Sequence, residues 1–184
     1  MGRVSARLHT VVEETLIVVR AAPEHAVGVL AIAREVASDG TTYVFEDDVS
    51  DEALQRYWLD PDALTYVAVR CDEVLGMYVL RPNHPGRGSH VANASYAVGG
   101  HARGHGIGRR LAEHSLEVGR EAGYRSMQFN LVVATNTRAI TLWEALGFER
   151  VGTLPSAFRH PQQGYVDAYV MVRSLLLGDD RPVG

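Results

Sequence analysis

The sequence predicts an α/β fold: a mixed central sheet of six or seven strands with helices on both faces. Three observations predict it. Short runs rich in β-branched residues interleave with amphipathic runs in the order β-α-α-β-β-β-α-β-α-β-β. A glycine-rich turn, Arg103 to Gly108, joins a strand-like run (His90–Val98) to an amphipathic one (Ile107–Gly123). With the strand that follows they form a βαβ unit, so the two strands are expected to be parallel neighbours. Finally, 184 residues with 46 % hydrophobic and 22 % charged content suit one well-buried domain.

Taken in order, residues 1–14 have weak periodicity and read as a flexible arm. The domain spans 15–175, and 176–184 read as a flexible polar tail. Thr15–Arg20 is a short strand. Pro23 can open a helix, and Val27, Leu30, Ala31, Arg34 and Ala37 keep helical spacing up to Gly40. Ser50 half-fits a capping box before a second helix, Glu52–Leu59, which Pro61 ends. Leu64–Cys71 and Val74–Arg81 read as strands about a tight Asp72–Glu73 turn, with Cys71 packed in its apolar run. Pro82–Ser89 is a loop by composition. After the βαβ unit, whose second strand is Tyr124–Val133, come a helix (Asn136–Leu146) and a strand (Phe148–Leu154). A loop (Ser156–Gly164) and a last strand (Tyr165–Arg173) close the domain.

Composition excludes several classes. A net charge of −4 offers no basic footprint for nucleic acid. All 18 basic residues are arginine, which removes Schiff-base chemistry through lysine. One cysteine cannot form an internal disulfide, and no segment reads as a membrane span or a signal peptide; the expectation is a soluble, cytoplasmic domain. His9, His25, His84, His101, His105 and His114 show no ligand spacing, so no metal is expected.

The turn carries the functional signal. A glycine-rich turn that starts a helix gathers backbone N–H groups at the positive end of the helix dipole, which makes an anion site. Gly104, Gly106 and Gly108 keep Cβ atoms out of the way; Arg103, Arg109 and Arg110 add charge at the rim. Without lysine the turn is not a P-loop, and the spacing does not complete a dinucleotide fingerprint.

What remains, Arg103-x-x-Gly106-x-Gly108, resembles the pyrophosphate-binding signature of the GCN5-related N-acetyltransferase (GNAT) superfamily. A second motif lies downstream, from Asn136 through Ala139, Leu142 and Trp143 to Gly147 and Phe148. It is similar to the superfamily's N-x-x-A-x-x-[LF]-Y-x-x-x-G-F. The resemblance covers Thr15–Arg173. It implies a GNAT fold with a V-shaped splay between the fourth and fifth strands, and acetyl-CoA as co-substrate. Tyr96, Ala97 and Val98 would bind pantetheine through their backbone, Arg103, Gly104, His105, Gly106, Ile107, Gly108 and Arg109 the pyrophosphate, and Asn136 and Trp143 would lie beside the pantetheine arm. Homodimers are common in the superfamily and are implied here too.

Two departures bear on mechanism. Trp143 stands where many members carry a tyrosine that protonates the departing thiolate, and indole is no acid near neutral pH. The His90–Val98 strand also lacks the carboxylate that in many relatives deprotonates the amine. A narrower resemblance joins Asn93, Asn130, Asn136 and Trp143, by spacing, to fungal N-acetyltransferases of proline analogues such as azetidine-2-carboxylate. It implies that Asn93 and Asn130 lie in the acceptor pocket and Asn136 near the sulfur, all three with catalytic roles. Asparagine is disfavoured in strand interiors, so two on neighbouring strands point to a shared polar site, although each could instead satisfy a local backbone group. Tyr78 and Tyr66 are candidates for the acceptor side, His90 for a base, and Arg159 and His160 for meeting an acidic acceptor.

The expected activity is transfer of acetyl to the amine of a small molecule, a proline-like imino acid or an amino acid. Alternatives keep the chemistry on an antibiotic, a polyamine or a protein N-terminus. A different class is a non-catalytic acyl-CoA-binding module.

Overall fold

The structure is a computed structural model that describes residues 15–176; the expected arm and residues 177–184 of the tail lie outside them. Seven strands form one mixed sheet: β1 (Ile17–Arg20), β2 (Leu64–Arg70), β3 (Glu73–Pro82), β4 (Val91–Val98), β5 (Ser126–Val133), β6 (Glu149–His160) and β7 (Gly164–Ser174). Their spatial order is β1-β2-β3-β4-β5-β7-β6. The β4–β5 pair is parallel, as the βαβ reading requires, and every other neighbouring pair is antiparallel.

Four helices cover the sheet. Helices α1 (Ala26–Asp39) and α2 (Asp51–Trp58) pack on one face with Val67, Met77, Val79 and Ala97. On the other lie α3 (Ile107–Glu121) and α4 (Thr137–Ala145), over Leu80, Ala92, Met127 and Phe129. Two cores therefore sandwich one sheet, and strand alternation decides which side chains meet which pair of helices.

The buried stripe of α1 is Val29, Ile32, Ala33, Val36 and Ala37, whereas Val27 is 81 % exposed; the spacing was helical, but the inward face is turned from the one the sequence marked. Gly40 ends α1 with φ +62, a left-handed cap that favours glycine. Ser50 does cap α2, accepting the Ala53 N–H at 3.3 Å.

The β2–β3 turn sits one residue earlier than expected. Cys71 and Asp72 are both left-handed, at φ 51 and 60, so the cysteine lies exposed at the turn rather than packed in the strand. The expected Ser156–Gly164 loop is largely strand. Register shifts between Leu154 and Phe158, where Ser156 takes φ 50 and its N–H is satisfied by Asp167 Oδ1 at 2.9 Å. Pairing then resumes at Phe158–Val166. A bulge absorbs Pro155, which sequence reasoning read as a strand end.

Candidate active site

The central feature is where β4 and β5 part. They pair only at Val91–Ser126 and Ala92–Met127. One residue on, the Asn93 side chain donates to the Gln128 carbonyl at 2.9 Å, so a side-chain amide takes a β5 acceptor that faces β4. Beyond that point the strands diverge. On the opposite edge of β4, the Gly99 N–H reaches the Leu75 carbonyl at 3.0 Å. Alternation along the antiparallel β3–β4 ladder then turns the Ala97 amide to β3 and leaves those of Tyr96 and Val98 facing the gap.

A cavity of about 420 Å³ runs from this gap to the starts of α3 and α4. It is lined by Tyr96, Ala97 and Val98, by Arg103, Gly104, Gly106, Ile107 and Gly108, and by Asn136 and Trp143. Gly104 and Gly106 have φ +86 and +76, which is why both are glycine; a Cβ on either would meet no protein atom. At Gly108 a Cβ would make ordinary contacts with Val98, at 3.8 Å, and Leu142, at 4.0 Å, so the fold does not demand glycine there. No side chain caps α3 and no acidic residue stands in its first turn, so its leading N–H groups remain available to an anion. These features fit the pyrophosphate of acetyl-CoA. Arg103 reaches the Glu35 carboxylate at 3.2 Å, and Glu35 also accepts the Gly100 N–H at 3.0 Å, which ties the turn to α1.

His105 and Arg109 do not line this cavity. The His105 ring folds back on the Arg103 carbonyl at 3.1 Å, and Arg109 lies on the exposed flank of α3, 3.5 Å from Glu113. A role for either in binding pyrophosphate is left to the His105 backbone or to rearrangement of the arginine.

The gap itself holds a smaller cavity of about 150 Å³. It shares Thr42, Tyr43, Tyr96, Asn136, Ala139 and Trp143 with the larger one, so the two are continuous. Asn136 is the N-cap of α4, its Oδ1 accepting the Ala139 N–H at 3.2 Å. Trp143 is 7 % exposed, its ring 4.8 Å from Tyr96 and 4.7 Å from Phe129. It is an aromatic wall and offers no acid. The Tyr96 hydroxyl points away, to Ser115 Oγ at 2.7 Å beneath α3, and burial pushes its pKa up. A third cavity, about 520 Å³, opens between Tyr43–Asp47 and Ala157–Pro161, where Arg159 pairs with Glu46 at 3.1 Å. Arg159 and His160 line it; His160 is buried and accepts the Gln162 N–H.

Several expected acceptor residues lie elsewhere. Tyr78 is fully buried on the α3 face of β3, stacked on Tyr66, with its hydroxyl 2.8 Å from His114 Nδ1; it lines none of the cavities. Asn130 is exposed, donating to Asn83 Oδ1 at 2.7 Å and accepting from Gln128 Nε2 at 2.8 Å. Asn93 serves the Gln128 carbonyl, so both asparagines satisfy local groups and neither lines a cavity. His90 is exposed, 3.1 Å from the Arg87 carbonyl. Conversely, Thr42, Tyr43, Ser95 and Arg138 line the cavities and were not foreseen. Arg138 stands inside the second motif and could have been read as a charge at a helix N-terminus. Tyr43 and Thr42 sit in an irregular segment with no period to mark them. Ser95 was one more small strand residue.

Among the described residues no helix could cross a membrane and no cluster of His, Cys, Asp or Glu could hold a metal.

Known proteins share this architecture. A structure of a GCN5-related N-acetyltransferase from Kribbella flavida superposes with a TM-score of 0.83 at 42 % identity, covering 86 % of this chain and 97 % of that one. Ribosomal-protein-alanine N-acetyltransferase from Brucella melitensis gives 0.78 at 27 % identity, covering 86 % and 99 %. N-acetyltransferase aca1 of Schizosaccharomyces pombe is 42 % identical over 111 residues, 60 % of this chain; the match spans 53 % of that protein's length. The acetyltransferase (GNAT) family model matches residues 30–148, from α1 through the glycine-rich turn to the end of the second motif, and the chain belongs to that family.

Proposed function

We propose that the protein is an acetyl-CoA-dependent N-acetyltransferase that acts on the amine of a small molecule, with a proline-like imino acid or amino acid as the leading acceptor. The observation that carries this reading is the continuous passage from the uncapped start of α3, through the parting of β4 and β5, to the cavity beside Tyr43. Pyrophosphate at α3 and a thioester in the gap would set the carbonyl oxygen against the free Tyr96 and Val98 amides, which stabilise negative charge on it. A neutral amine then attacks the carbonyl carbon; the C–N bond forms, the C–S bond breaks, and positioning supplies most of the acceleration. A gap of about 150 Å³ favours a compact amine over a bulky one.

The narrower acceptor assignment rests on the sequence spacing of Asn93, Asn130 and Asn136; of the three, only Asn136 has support from the geometry, because it lines both continuous cavities. The same reading carries a cytoplasmic location and a homodimer; fractionation of cells tests the first and sedimentation of the purified protein the second. A thiol-release assay with acetyl-CoA and a panel of amines tests the activity. Turnover confined to azetidine-2-carboxylate and proline analogues supports the narrow assignment. Turnover only with polyamines, antibiotics or peptides retains the enzyme and overturns the acceptor. Acetyl-CoA binding without turnover favours the acyl-CoA-binding module.

A further inference from the structure

A secondary or primary amine that has attacked a thioester must lose a proton, yet no carboxylate or imidazole lines the gap cavity among the described residues. Its polar side chains are Thr42, Tyr43, Ser95, Tyr96, Asn136 and the Trp143 indole. Most of these are committed or unsuited. The Tyr96 hydroxyl is turned to Ser115, and the Tyr43 hydroxyl donates to the Tyr96 carbonyl at 2.7 Å. Asn136 Oδ1 caps α4, indole nitrogen has no lone pair to offer, and Thr42 has no fixed hydrogen-bond partner.

Ser95 differs. It follows the parting of the strands by three residues and lies on the α2 face of β4, with its Oγ 2.7 Å from the Tyr57 hydroxyl. Either oxygen can be the donor, so the pair can reverse its hydrogen-bond direction. Tyr57 is itself held: its ring packs against Trp58 and Phe45 at 5.2 and 5.1 Å, and the Arg81 guanidinium lies 4.8 Å over it. Arg81 is the charged group against the pair, and Tyr43, whose hydroxyl also interacts with the Ser95 side chain, is the other titratable neighbour.

We propose that Ser95 is the catalytic group that accepts the amine proton, with Tyr57 as the positioning residue that passes it outward; the assignment rests on the acetyltransferase reading. Ser95 donates to Tyr57 and presents a lone pair to the attacking nitrogen. As the C–N bond forms and the C–S bond breaks, the nitrogen gives its proton to Ser95 Oγ. Ser95 passes its own proton to Tyr57, and Tyr57 releases one to water. The thiolate takes a proton from solvent through the larger cavity, and amine plus acetyl-CoA become amide plus free CoA. Reversal of one hydrogen bond does the work without a residue that is strongly basic. The gap thereby selects amines that reach the carbonyl already neutral.

The test measures Ser95→Ala, Tyr57→Phe and wild type across pH with the best amine of the panel, alongside acetyl-CoA affinity by calorimetry and thermal midpoints. Ser95→Ala is expected to lose about 10²-fold in kcat, in line with a single positioned proton acceptor, with acetyl-CoA affinity unchanged. Its remaining activity should climb more steeply with pH, because hydroxide replaces the lost acceptor. Tyr57→Phe should lose roughly tenfold with the same steeper profile, which loss of packing alone would not produce. Variants that retain kcat and profile within twofold, or that fall only in proportion to their folded fraction or cofactor affinity, overturn the relay and leave the acetyltransferase reading standing. A wild type that turns over no amine overturns both.

Discussion

Replacing Asn93 distinguishes two accounts of the same side chain. In the structure its amide serves the Gln128 carbonyl at 2.9 Å, at the point where the β4–β5 ladder ends. Asn93→Ala would leave that half-buried carbonyl without its donor, at a cost of about 1–2 kcal/mol. For a domain of this size that lowers the thermal midpoint by roughly 2–8 °C, read by calorimetry or by circular dichroism during heating. Asn93→Asp should be worse, because a carboxylate would face a carbonyl oxygen with no proton between them. Activity should fall less than stability demands: an amide that holds the strands apart sets the gap width without touching the acceptor. The reasoning is refuted if Asn93→Ala retains its midpoint within about 1 °C while KM for the amine rises tenfold or more. That result would place the side chain on the acceptor, as the narrower sequence resemblance implied.

Other substitutions separate the fold from the site. Gly106→Ala forces a left-handed residue at φ +76 and should cost about 1–2 kcal/mol in denaturant unfolding. Gly108→Ala, whose Cβ would meet Val98 at 3.8 Å and Leu142 at 4.0 Å in ordinary contact, should leave unfolding unchanged or slightly harder yet weaken acetyl-CoA binding by calorimetry. Trp143→Ala removes the ring packed on Tyr96 and Phe129 and should destabilise by about 3–5 kcal/mol, seen as an early denaturant midpoint. Burial holds the His114 imidazole below its usual pKa, so the folded state prefers the neutral ring. Stability is therefore full above about pH 6.5 and falls as the pH drops below it, and His114→Gln should flatten that fall in a pH series of thermal midpoints.

How far the sequence could be read depends on what each half of the site is made of. The half proposed to bind phosphate is a contiguous stretch from Arg103 to Gly108, and that reading follows from backbone N–H groups and two positive φ angles. Glycines at fixed offsets before a helix announce both without tertiary contacts. The βαβ unit was legible for a similar reason, because handedness and connection length leave its strands little choice but to lie parallel. The half proposed to hold the acceptor has no such segment. Tyr43, Tyr57, Ser95 and Arg159 come from the segment after α1, from α2, from β4 and from β6, and they meet only once the sheet is covered. Asn93 and Asn130 drew notice because amides are unusual in strands, but a rare residue marks only an unmet backbone or surface need, and each has a partner that meets it. Tyr78 failed through alternation: with Leu80 it faces α3, while Met77 and Val79 face α1 and α2. A shift of one residue would have reversed that assignment. Substitutions in the loops and strand ends around the gap can therefore leave the glycine-rich turn as it is, because no residue of that turn lines the gap cavity, whereas Tyr96, Asn136 and Trp143 line both cavities and couple the two halves.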